Sequence, residues 1–64
     1  MNINVRILRD EYERFKKELN PLNTYARFVV RYDKEKIMVE VILPKEADTE
    51  QDNKIIQVIR KYEV

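Results

Sequence analysis

Asp48, Glu50 and Asp52 come nearest to a chemical motif in this chain. Carboxylates at alternate positions are how a calcium loop offers oxygen to a hard cation. The match stops after those three. Asn53 stands where the sharp turn of such a loop needs glycine, and Ile59 stands where its closing bidentate glutamate belongs. Acidic residues opening a helix explain the cluster more simply, because the N-terminal backbone dipole favours negative charge. A second cluster, Arg14, Lys16 and Lys17, is interleaved with Glu11, Glu13 and Glu18 and reads as a solvated helix face. Spacing pairs none of the carboxylates into an acid/base couple.

What the 64 residues omit narrows the chemistry further. There is no His, Cys, Ser, Gly or Trp, although average usage would supply about 4–5 glycines at this length. Without His, no side chain has an unperturbed pKa suited to proton transfer near neutral pH. The commonest covalent nucleophiles are missing, and no glycine loop is present to wrap a phosphate. The sequence therefore predicts no catalytic residue, no cofactor, no metal site and no small-molecule substrate. It predicts a protein that acts by binding and is not an enzyme.

Thirteen basic and 12 acidic residues leave a net charge of +1. So even a balance does not suggest a hold on nucleic acid or anionic lipid through the overall field. No apolar run approaches the ~18 residues of a membrane span, and no signal-peptide core opens the chain. Apolar residues make up 44% of the chain, too many for a disordered tail. Residues 1–64 read as a single domain near the lower size limit for folding without a disulfide or metal. Cysteine-free composition fits a reducing compartment, and the expected location is cytoplasmic.

The elements that must present any surface follow from periodicity. Ile3, Val5 and Ile7 alternate with Asn2, Asn4 and Arg6, predicting a strand over 2–8. The period then changes to that of a helix over 10–20, with Asp10 as N-cap and Glu13 in capping-box position. Tyr12, Phe15 and Leu19 form its apolar face, which Leu8 extends backwards; Pro21 stops it near Asn20. Tyr25–Tyr32 and Ile37–Leu43 read as a hairpin joined by a four-residue loop, Asp33 to Lys36. Its expected cross-strand pairs are Tyr32 with Ile37, Val30 with Val39, Phe28 with Val41 and Ala26 with Leu43. Pro44 ends the second arm. From Asp48 or Thr49 a second helix buries Ile55, Ile56, Ile59 and Tyr62; the β-branched run leaves a strand over 55–62 as the alternative.

Strand, helix, strand, strand, helix predicts an α+β fold: βαββα, with a three-stranded antiparallel-type sheet in the order 1-3-2 and both helices on one face. Ile37–Leu43 is the most continuously apolar strand, as a central strand should be. Asn4, Arg6, Arg27 and Arg31 lie on the outer two, where charge guards an edge. The arrangement resembles a ferredoxin-like fold lacking its last strand, a likeness of fold that implies no function.

The sheet face away from the helices is the candidate surface. On it the alternation places Tyr25, Arg27, Val29 and Arg31, then Met38, Glu40 and Ile42. An apolar centre at Met38 and Ile42 with an arginine rim at Arg27 and Arg31 matches the anatomy of protein interfaces. The expected partner is a second copy, or another protein. Nucleic acid is the less favoured alternative, through Asn4, Arg6, Arg27 and Arg31. Tyr25 would be the only aromatic on that face to stack a base, and Glu40 sits in its middle. Residues 2–20 also resemble the strand and first helix of a ribbon-helix-helix repressor, with Asn2, Asn4 and Arg6 pointing outward. That likeness covers under a third of the chain, and the required second helix is replaced by the hairpin. A designed chain without biological function is the last alternative. A natural origin is favoured over it, since a designer would place glycine in the hairpin and keep Met38 off an open face.

Overall fold

A computed structural model describes residues 2–46 and 48–64. Strand β1 (Asn2–Leu8) leads through a 3-10 turn at Arg9–Glu11 into helix α1 (Tyr12–Leu19), which tightens into a second 3-10 turn at Asn20–Leu22. The hairpin strands β2 (Tyr25–Arg31) and β3 (Lys36–Ile42) follow, then helix α2 (Thr49–Tyr62). The sheet runs β1-β3-β2 with both pairings antiparallel, so the α+β class and the 1-3-2 order read from the sequence are those of the structure.

Alternation makes β3 the spine of the core. Ile37, Val39 and Val41 are buried, while Met38, Glu40 and Ile42 on the other face are half-buried. Val5 and Ile7 join them from β1, and Phe15, Leu19, Ile55, Ile59 and Tyr62 close over that face from the two helices. The Phe15 and Tyr62 rings meet edge to face, centroids 5.3 Å apart, which fastens α1 to α2. Beside them Glu18 accepts hydrogen bonds from Lys61 Nζ and Tyr62 Oη. Those two donors hold the Glu18 carboxyl below its ordinary range. The carboxylate in turn, helped by burial, pushes the Tyr62 phenol up to about 12.

Local chemistry departs from the expectations in five places. Asp10 caps nothing: it lies inside the first 3-10 turn, and α1 begins without a side-chain cap. The α-helix stops before Pro21 as expected, at Leu19 with Asn20 as its C-cap, but the path continues into a 3-10 segment whose first turn tolerates the missing N–H of Pro21. The reversal comes at Asn23, whose φ of 56° is the only positive one among the non-glycine residues described. Asparagine tolerates that left-handed conformation best after glycine, which this chain lacks. Leu8 ends β1 opposite Lys36 and does not extend the α1 stripe. Ile56 is 40% exposed, whereas Ile55, Ile59 and Tyr62 form the buried face of α2. Asp48 caps that helix as expected, accepting from the Gln51 N–H at 2.7 Å.

The fifth departure is the hairpin register. Tyr25 pairs with Ile42, Ala26 with Val41, Arg27 with Glu40 and Phe28 with Val39; then Val30 pairs with Met38 and Arg31 with Ile37. The expected pairs are thus displaced, and Val29 is the extra residue of a β-bulge. The loop closes as Asp33 Oδ1 accepts from the N–H groups of Glu35 and Lys36, at 2.8 and 2.9 Å. These two donors draw the Asp33 carboxyl below its ordinary value.

Candidate interaction surface

Directly paired residues in an antiparallel sheet share a face, so the ladder defines the surface opposite the helices row by row. The first row is Asn2, Ile42 and Tyr25; the second is Asn4, Glu40 and Arg27; the third is Arg6, Met38 and Val30. Leu8 and Lys36 begin a fourth, which Tyr32 completes by donating its N–H to the Lys36 carbonyl. No described element covers these rows.

Tyr25, Arg27, Met38, Glu40 and Ile42 therefore stand on the outer face, as the alternation predicted. Val29 and Arg31 do not share it as expected. The bulge at Val29 shifts the parity of β2, so Val30 takes the outer position beside Met38. Arg31 pairs with Ile37 on the helix side, its Nε donating to the Asp33 carbonyl at 3.1 Å. Three consecutive apolar residues, Phe28-Val29-Val30, interrupt the two-residue period. That interruption is the one trace of the bulge in the sequence. Val30, Tyr32 and Leu8 are the surface residues that the alternation missed.

The middle of the face is a closed polar group. Arg27 Nη2 lies 2.6 Å from Glu40 Oε1, and Asn2 Nδ2 donates to the other oxygen at 3.3 Å. Arg6 places its guanidinium carbon 5.7 Å from the Tyr32 ring centroid, crossing the face above the third and fourth rows. Of the residues considered for nucleic acid, Asn4, Arg6 and Arg27 share the face, Arg27 is neutralised by Glu40, and Arg31 points away. The exposed part of the face is mixed: Asn2, Asn4, Arg6 and Arg27 lie among Leu8, Tyr25, Val30 and Tyr32, the last three about half exposed, beside half-buried Met38 and Ile42.

Among the described residues no group of three or more His, Cys, Asp or Glu side chains converges as metal ligands do. None of the described helices is long and apolar enough to cross a membrane. Compared with known proteins, the chain matches no family model, no curated protein and no solved structure.

Proposed function

We propose that this protein is a small non-enzymatic interaction module of the cytoplasm, which self-associates through the outer face of its sheet. One observation carries the reading. The helices bury Val5, Ile7, Ile37, Val39 and Val41 on one sheet face and leave only its β2 margin at Phe28 and Arg31 exposed, while the other face leaves Tyr25, Val30, Tyr32, Met38 and Ile42 in contact with solvent. A chain of 64 residues has little core to spare, and apposing two such faces extends it.

The size of the face sets the expected strength. Three strands and seven residues span about 14 by 23 Å, well under the ~800 Å² per partner of a standard interface. Association is therefore weak and concentration-dependent, driven by apolar contact and insensitive to salt. Light scattering coupled to size exclusion, over a range of concentrations, tests this. The wild type approaches twice 7.9 kDa as concentration rises. Ile42→Asp stays monomeric with an unchanged far-UV spectrum, because only the outward face is altered. A persistent dimer in that variant refutes the interface, and an unfolded variant shows that Ile42 belongs to the core.

A further inference from the structure

We propose that the free edge of β1 over residues 2–5 is a strand-addition site for an extended segment of a partner protein. The segment runs antiparallel to β1 and carries apolar side chains at the alternate positions facing α2. This site is separate from the outer sheet face and does not depend on it.

The structure seats two of its own residues on that edge. Glu63 leaves α2 in extended conformation, φ −61° and ψ 135°, and forms an antiparallel bridge with Ile7. The Val64 N–H donates to the Arg6 carbonyl at 3.0 Å, and Arg6 Nε donates to the Val64 carbonyl at 2.9 Å. An extended segment thus already fits beside β1, and its direction and register are fixed.

Backbone parity says what the rest of the edge offers. Along a strand, successive residues turn their N–H and C=O to opposite sides. The Arg6 carbonyl faces away from β3, whereas the Arg9 N–H donates toward it, to the Glu35 carbonyl at 2.7 Å. Even-numbered residues of β1 therefore aim outward, so Asn4 and Asn2 continue the line that Arg6 begins. No described residue pairs with them on that side. Unsatisfied rungs of this kind are what strand addition uses for affinity.

Selectivity comes from the groove alongside. Ile3, Leu43, Ile55 and Ile56 line a hollow of about 310 Å³, with Lys45 and Asp52 among its other walls. Its size is at the lower end of ligand-binding clefts. Residues of an added strand placed opposite Val5 and Ile3 would project to the helix side, and the one beside Ile3 reaches this hollow. Exposed Ile56 then becomes a contact. The other sheet edge is unsuited to the same role, because the bulge at Val29 breaks its ladder. A second copy could offer its own β1, but Val64 already occupies Arg6 on each copy, so two such edges would pair over three described residues at most.

The test uses isotope-labelled full-length chain and a capped hexapeptide of alternating Val and Thr. Expected are saturable shifts confined to the amides of residues 2–5 and the methyls of Ile3 and Ile56, with slowed exchange at the Asn4 amide. Ile56→Asp weakens binding about tenfold with the fold intact. Asn4→Pro removes one outward donor without touching the β1–β3 ladder, and also weakens it. Val30→Asp, on the outer face but away from β1, leaves peptide binding unchanged, which separates this site from the outer face. Absence of shifts at millimolar peptide overturns the proposal. So do shifts centred on Met38 or on β2, or binding indifferent to Ile56→Asp. Concentration-dependent shifts at residues 2–5 without peptide assign the edge to a second copy and overturn the partner segment.

Discussion

Truncating the adjacent residues Ile55 and Ile56 to alanine tests the orientation of α2, on which both the core and the groove depend. The side chains are identical and share a helix, yet Ile55 is 1% exposed and Ile56 40%. Ile→Ala removes three carbons, about 2.4 kcal/mol of transfer free energy at about 0.8 kcal/mol each. At Ile55 a residual cavity adds to this, for a total of about 2.4 to 5 kcal/mol. At Ile56 only the covered part of the side chain counts, about 1.4 kcal/mol, and the better helix propensity of alanine offsets a few tenths. The net cost there is about 1 kcal/mol. A chain of 64 residues has a total stability of about 3–10 kcal/mol, so the difference is large. Thermal denaturation followed by circular dichroism, at a concentration low enough to keep association out of the transition, reads it directly. Ile55→Ala lowers Tm by at least about 10 °C and Ile56→Ala by less than about 8 °C. Equal losses, or the larger one at Ile56, would show that α2 presents a different face to the sheet.

Two further outcomes concern polar contacts. Glu18, whose folded pKa lies below its ordinary 4.5 through hydrogen bonds from Lys61 and Tyr62, contributes stability at pH values above 4.5. That contribution fades as pH falls through the folded value, and Glu18→Gln flattens this part of an acid-denaturation profile. Tyr62 behaves oppositely: raised from 10 to about 12 by its bond to Glu18, it contributes stability fully below pH 10 that is lost as pH rises through 12. A spectrophotometric tyrosinate titration shows a step near 12 that Tyr62→Phe removes. On the outer face, Arg27 and Glu40 are 69% and 20% exposed, so their double-mutant coupling measured by urea denaturation is below about 1 kcal/mol. A larger coupling would mean that the pair is covered in solution.

The class and strand order were legible because every element except β2 has an uninterrupted period. Ile3, Val5 and Ile7 recur every second residue, Phe15 and Leu19 every fourth, and Asp48 supplies a standard cap. Legibility failed where a local preference met a tertiary one. Asp10 has the spacing of a cap, but the chain enters α1 through a 3-10 turn that places Asp10 inside that turn and Glu11, not Asp10, at the residue before the α-helix. Phe28, Val29 and Val30 suit either face of a strand, so nothing local says which residue is extra. That single residue carried Arg31 off the candidate surface and brought Val30 onto it. Ile55 and Ile56 are indistinguishable by type, and only the position of α2 over Ile3 and Leu43 decides which is buried. The junction of Glu18 with Lys61 and Tyr62 joins residues more than 40 positions apart, which no local pattern encodes.

How the sheet edges are finished bears on what kind of assembly the outer face can form. Two copies meeting face to face by a two-fold axis use up their faces and close, since an isologous contact leaves no copy of itself unsatisfied. Edge pairing is different: a sheet with two flat open edges can keep adding chains. In this chain the bulge at Val29 breaks the ladder of one edge, and Glu63 with Val64 occupies the Arg6–Leu8 end of the other. Among the described residues no partner covers the four-residue stretch from Asn2 to Val5, long enough for a short segment but too short to propagate a sheet. Polar Asn2 and Asn4 line its outer face, and the apolar groove by Ile3 lies only on its helix side. A bulge in one edge and partial capping of the other thus favour finite complexes: the proposed dimer through the face, with at most one added strand on each copy.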